Sequence, residues 1–316
     1  MRYLIIGGKS VFGEGLAVRL LAKPVTELVF ATKLPSEENN ICKYEKLYWH
    51  NLDVRSEADV NRIVSSAKAD VIFDLATQDS VGYAWKNPIE TVDINISGTV
   101  NVLNAVRDFS PNTRLIIAGS GEEYGRMDFS DIPLHEEINP QPNNIYGATK
   151  ACQTMFAKLY HQAFGLDIIV LRTFYETSVL QDDRYAVSSF CKQFAEMEAG
   201  RKETVIKTGN LNNIRDFTDV EDLISAFDVV AEKGKSGEIY NAARGKKTSL
   251  LDIIKILEKL SGIQVSIEAD ASRFRPMDAP AVVADVRKIE ADCGWKAKIP
   301  LEKTIEKMLL YWRQTI

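Results

Sequence analysis

Tyr146 and Lys150 stand four residues apart in Tyr146-Gly147-Ala148-Thr149-Lys150, a spacing that sets a phenol and an ammonium on one face of a helix. A nearby ammonium favours the phenolate, so the pair predicts a tyrosine whose pKa falls toward neutrality and which trades protons with a substrate. The chain holds eleven tyrosines, enough for one such pair to arise by chance, so its meaning depends on its surroundings. Gly7-Gly8-Lys9-Ser10-Val11-Phe12-Gly13 follows the apolar run from Tyr3 to Ile6, where a phosphate-binding turn feeds a helix N-terminus. Gly7, Ser10, Val11, Phe12 and Gly13 are its candidate contacts. Ser10 stands where a glycine is expected, which predicts a Cβ at a point of close backbone approach. The next apolar run ends in Thr32-Lys33, with no carboxylate for a ribose 2′-hydroxyl. A lysine there suits a 2′-phosphate and favours NADPH over NADH. Asp53 and Val54 follow the expected third strand, where Asp53 either accepts from an adenine amino group or caps the next helix.

These groups need a scaffold, and the sequence alternates short runs apolar on both faces with longer amphipathic segments. The runs are 3–6, 28–31, 71–75, 114–118 and 167–171; helices are expected over 12–21, 56–67, 89–109 and around Tyr146. That alternation predicts an α/β fold, a Rossmann-like doubly wound parallel sheet covered by helices. Residues 1–172 read as a dinucleotide-binding domain, to which the chain returns at about 213–241. Residues 173–316 read mainly as a smaller C-terminal substrate-binding lobe over the sheet's carboxyl edge.

Composition narrows the partners. A net charge of −5 with scattered lysine and arginine argues against nucleic acid, and no apolar run approaches the roughly 20 residues of a membrane span. With no signal-peptide pattern, a cytoplasmic location is expected. Cys42, Cys152, Cys191 and Cys293 are far apart and only three histidines are present, so neither a disulfide nor a metal site is expected.

Further motifs carry a family resemblance over nearly the whole length: Asp74-Leu75-Ala76-Thr77, Asn95, Gly119-Ser120-Gly121-Glu122-Glu123-Tyr124-Gly125 and the Tyr146/Lys150 pair. The chain resembles the extended short-chain dehydrogenase/reductases of the nucleotide-sugar branch. Ile206-Lys207-Thr208-Gly209, Arg215-Asp216-Phe217-Thr218-Asp219 and Arg275-Pro276-Met277-Asp278 bring it nearest to the reductases of GDP-4-keto-6-deoxy-mannose. The resemblance implies a catalytic triad of Ser120, Tyr146 and Lys150, in which Tyr146 gives a proton to the C4 oxygen as NADPH or NADH gives hydride. Leu75, Ala76 and Thr77 would line the cofactor. Asp79, Ser80, Ser120, Glu122, Tyr175, Lys207, Arg215, Arg275 and Asp278 would meet a nucleotide sugar, a GDP-sugar by preference. A homodimer through the 89–109 and Tyr146 helices is implied as well.

Two departures stand out. Tyr175-Glu176-Thr177-Ser178-Val179 replaces the family's Asn-x-x-Gly-Pro, and Gln78-Asp79 replaces small or basic residues beside the sugar. Asp79 is expected either to accept from sugar hydroxyls or to cap a turn. Other activities on this scaffold remain open: a 4,6-dehydratase with Glu122 as its C5 base, a 4-epimerase that recycles its NAD, or a nucleotide-binding protein without catalysis.

Overall fold

The computed structural model describes residues 1–34, 36, 44–125, 132–270 and 279–316. Its first half runs β1 (Arg2–Ile6), α1 (Val11–Leu21), β2 (Leu28–Lys33), β3 (Leu47–Asn51), α2 (Glu57–Ala67), β4 (Val71–Asp74), α3 (Val81–Lys86), α4 (Pro88–Val92), α5 (Gly98–Phe109), β5 (Arg114–Ser120), α6 (Ile145–Phe164) and β6 (Ile168–Thr173). The second half adds β7 (Glu176–Thr177), α7 (Ala186–Glu198), β8 (Val205–Thr208), β9 (Ile214–Arg215), β10 (Thr218–Asp219), α8 (Val220–Lys233), β11 (Ile239–Ala242), β12 (Thr248–Ser249), α9 (Leu250–Ser261), β13 (Ser266–Ala269), β14 (Ala281–Val282), α10 (Arg287–Cys293) and α11 (Leu301–Thr315).

Seven strands form one parallel sheet in the order β11-β6-β5-β4-β1-β2-β3. Strands such as β4 and β6 are buried along their whole length because helices cover both faces. On one face Leu16, Leu20, Leu223 and Phe227 of α1 and α8 pack on Ile5, Phe73 and Ile116. On the other, Val60, Ile63, Val102 and Val106 of α2 and α5 pack on Leu4, Ile72 and Leu115. The order reverses between β1 and β4, so the crevice for a ligand opens at their carboxyl ends. The α/β, Rossmann-like expectation is borne out.

A third core joins Phe190, Phe194, Ile254, Leu257, Ile305 and Met308 of α7, α9 and α11. The long helix expected over 89–109 is interrupted: Asp93–Ser97 forms a π turn between α4 and α5. Its one extra residue per turn carries Asn95 into the interior, fully buried. No helix among the described residues is long and apolar enough to cross a membrane.

Candidate active site

The turn after β1 is shaped for close approach. Gly7 has φ +81°, and a Cβ there would come within 2.7 Å of the Ala76 amide; at Gly13 it would come within 2.4 Å of the Gly8 carbonyl. Ser10 corrects the expectation of an obstructing side chain. With φ −67° it is the N-cap of α1, and its hydroxyl accepts from the Gly13 amide at 3.1 Å. The Val11 and Phe12 amides, at the first two helical positions, have no intrahelical acceptor and face outward with the positive end of the helix dipole. This cradle fits the pyrophosphate of a dinucleotide.

Neighbouring positions are less uniform. Thr32 accepts from the Gly7 amide at 2.9 Å, which ties β2 to the turn. Lys33 is buried at the end of β2, its Nζ 3.4 Å from the Leu34 carbonyl. Asp53 is clamped by Arg55, whose Nε lies 2.9 Å from Oδ1, and that pair holds its carboxyl below the usual range. It does not cap α2; Ser56 does. Val54 is buried, and its carbonyl accepts from Asn101 at 2.9 Å. Leu75, Ala76 and Thr77 continue from β4, and Asn95 fastens that loop to the catalytic helix. Its Oδ1 accepts from Thr77 Oγ1 at 3.0 Å and the Gln78 amide at 2.8 Å, while its Nδ2 donates to Thr149 Oγ1 at 2.9 Å.

Ser120, Tyr146 and Lys150 come together at the carboxyl edge. Ser120 ends β5, and Asn144 caps α6 by accepting from the Gly147 amide, which orients the first turn that carries Tyr146. The Ser120 hydroxyl accepts from the Glu122 amide at 3.2 Å and acts on the nearby Tyr146 phenol, lowering its pKa slightly against the larger effect of burial. Lys150 donates to the Ala118 carbonyl at 2.9 Å, its Nζ 5.9 Å from the centre of the Tyr146 ring. All three are more than nine-tenths buried.

The electrostatics reverse one expectation. Tyr146 is raised well above its ordinary pKa rather than lowered, chiefly by burial and then by the charge of Asp79, with Glu176 and Glu122 adding to it. Lys150 is itself pulled down by burial to about 8, against the opposing charges of Asp74, Glu123 and Asp79. Burial thus favours the protonated form of Tyr146. Asp79 is exposed to solvent, yet the protein atoms crowded around it still raise its carboxyl. Burial also pushes Glu176 up to about 7, with the charge of Asp79 adding to it. Tyr185, at the N-cap of α7, is raised by burial and by the same two carboxyls. Glu176 and Tyr185 were not among the expected site residues. Only their shared neighbourhood reveals them, because they come from segments that carry no motif.

Glu122 accepts twice, from Asn144 Nδ2 at 2.8 Å and from the Tyr175 hydroxyl at 2.7 Å. Arg215 is buried: its Nη1 donates to the Ile214 and Ala279 carbonyls, and its guanidinium lies 5.2 Å from the centre of the Tyr175 ring. Ser80 caps α3 through the Tyr83 amide at 3.2 Å. Lys207 is exposed on β8, paired in register with Glu268 of β13. Arg275 and Asp278 lie outside the described residues.

A family model described as GDP-mannose 4,6 dehydratase matches residues 4–308. The chain belongs to that family. As a member of the GDP-mannose 4,6-dehydratase family it is an extended short-chain dehydrogenase/reductase, an enzyme of the NAD(P)-dependent oxidoreductase type. Similar family proteins differ in activity. The GDP-6-deoxy-D-mannose reductase of Pseudomonas aeruginosa is 27% identical over 247 residues, 78% of this chain and 81% of that one. The CDP-paratose 2-epimerase of Salmonella typhi is 26% identical over 98% of both chains. Among solved structures, RMD from Pseudomonas aeruginosa complexed with NADPH superposes with a TM-score of 0.86 at 23% identity over the whole of both chains. The UDP-glucose 4-epimerase of Thermotoga maritima, solved with UDP-glucose, gives 0.87 at 24% identity, covering 100% of this chain and 99% of that one.

Proposed function

We propose that the protein reduces the C4 ketone of a nucleotide-linked 4-keto-6-deoxy-hexose, with GDP-4-keto-6-deoxy-mannose as substrate and NADPH as cofactor. The carrying observation is the meeting of Ser120, Tyr146 and Lys150 at the carboxyl edge of the sheet, beside the pyrophosphate cradle that follows β1. A reductase uses such a phenol as the acid at the C4 oxygen. The similarity to the Pseudomonas aeruginosa reductase supports the same choice. The nicotinamide supplies hydride when bound. Tyr146 gives its proton to the C4 oxygen, and Ser120 steadies the developing charge on the same atom. Lys150 holds the cofactor ribose, Lys33 faces the 2′-phosphate, and the Val11 and Phe12 amides meet the pyrophosphate. Arg215 turns a fork of donors toward the sugar-nucleotide diphosphate. Residues 1–172, rejoined at 213–241, hold the cofactor, and the remaining segments mainly hold the sugar nucleotide.

The decisive test offers GDP-4-keto-6-deoxy-mannose and NADPH to the purified protein. One NADPH should be oxidised per sugar reduced, with NADH slower, and Lys33→Ala should narrow that preference. Turnover of the sugar without added cofactor would remove the reductase reading. The alkaline limit of kcat/KM should fall near pH 8, because Lys150 loses its proton as pH rises through that value. Lys150→Arg, charged at every accessible pH, should abolish that limb while lowering turnover.

A cytoplasmic homodimer completes the proposal. Met155, Leu159 and Phe164 on α6, with Ile89 and Phe109 on α4 and α5, expose apolar side chains on the helices expected to pair. The described cysteines are free thiols, which suits a reducing compartment. Sedimentation should give twice the 35.4 kDa of one chain.

A further inference from the structure

We propose that Tyr175 is a positioning residue whose hydrogen bond restrains Glu122 and lowers its basicity, and so prevents the enzyme from enolising its own substrate. The inference rests on the ketone-reductase reading. Any site that polarises a carbonyl with Tyr146 and Ser120 also acidifies the C–H bonds on the carbons beside it. A carboxylate near that phenol then becomes a hazard. Glu122 is such a group: it follows Ser120 by two residues, and its charge is felt at the Tyr146 hydroxyl.

Each Glu122 oxygen accepts one hydrogen bond, which lowers the carboxylate's basicity and fixes its direction. Asn144 Nδ2 donates to one at 2.8 Å, and Asn144 cannot turn away because its Oδ1 caps α6 at the Gly147 amide, 2.8 Å off. The Tyr175 hydroxyl donates to the other at 2.7 Å. Tyr175 is fixed in turn, with the Arg215 guanidinium 5.2 Å from its ring centre and the Phe217 ring 6.0 Å away. Phenylalanine at 175 would keep both ring contacts and remove the hydroxyl that donates to Glu122. Glu122 would then be more basic and free to turn that oxygen toward an α-proton of the bound ketone. The C–H bond breaks, the proton passes to Glu122, and the electron pair becomes an enolate whose oxygen Tyr146 and Ser120 hold. Return of a proton exchanged with solvent restores the ketone, and no oxidant or reductant takes part. Glu122 is only partly buried, so its proton exchanges with water.

The test incubates GDP-4-keto-6-deoxy-mannose in D2O without NADPH and reads deuterium at C3 and C5 by NMR. Exchange catalysed by Tyr175→Phe should exceed that of the parent by at least about tenfold, and adding Glu122→Gln should return it to the parent level. A parent that reduces the sugar while Y175F gains no exchange, or gains exchange that survives E122Q, overturns the clamp. A parent that fails to oxidise NADPH with this sugar overturns the reductase reading instead. The bond itself is tested without substrate by urea denaturation of Y175F, E122Q and the double variant. A double variant that loses less than the sum of the two supports the clamp, and strict additivity overturns it.

Discussion

Tyr146→Phe is expected to lower turnover of the keto sugar by about 10²- to 10⁴-fold, the usual cost of removing a positioned proton donor. The change deletes one oxygen from a side chain that is 9% exposed and leaves the ring that Lys150 overlies. Binding of NADPH, followed by quenching of protein fluorescence, should stay close to that of the parent. The loss should therefore appear in kcat rather than in cofactor affinity. Because burial and the carboxyls keep Tyr146 protonated, the parent rate should not require pH above neutrality to develop. A Tyr146→Phe rate within threefold of the parent would mean that another group protonates the C4 oxygen.

The second large effect concerns stability. Glu123 and Arg172 form an ion pair at 2.8 Å with exposures of 0% and 1%. Glu123 also accepts from the Ser120 amide at 2.9 Å and from Thr154 Oγ1 at 2.8 Å, so one carboxylate joins the end of β5, the catalytic helix and β6. Arg172 lies 4.8 Å over the Tyr124 ring, and its Nη1 has no acceptor among the described residues. Glu123→Leu strands a buried guanidinium, which costs about 3–5 kcal/mol. Urea denaturation should show that loss as a lower midpoint with an unchanged slope. Adding Arg172→Met should recover much of it, because removing both charges also removes their desolvation cost. A double variant no more stable than Glu123→Leu would show that Arg172 contributes by packing rather than by charge.

Tyr146 and Lys150 could be read in the sequence because their spacing puts them on one helical face, whereas Ser120, two residues beyond the apolar run 114–118, came only with the family resemblance. Most of the sheet could be read because β1, β2, β4, β5 and β6 carry continuous apolar runs, but β3, Leu-Tyr-Trp-His-Asn at the sheet's edge, does not. Other features leave no such trace. β7, β9, β10, β12 and β14 are two residues each, too short to carry a period. The π turn at Asp93–Ser97 keeps the composition of the helix around it, so only geometry reveals it. The direction of the Tyr146 shift was missed for a related reason. Lys150 is near it in sequence, but Asp79 and Glu176 reach the phenol from separate segments, and burial outweighs them all. Ser10 was misjudged because the glycine pattern says which residue is missing and not what a hydroxyl at a helix start does.

The last strand of the sheet also bears on the order in which the chain is made. β11 lies beside β6, and within it Asn241 accepts from the Tyr124 hydroxyl at 2.9 Å and donates to the Leu134 carbonyl at 2.8 Å. Until residue 242 has left the ribosome, β6 is an open edge and Tyr124, beside the triad, lacks its acceptor. At about 5–20 residues per second the stretch from Thr173 to Ala242 takes on the order of three to fourteen seconds. The nascent first half is thus a sheet with a bare margin, and a chain halted after Thr173 would leave that margin open to pairing with another copy.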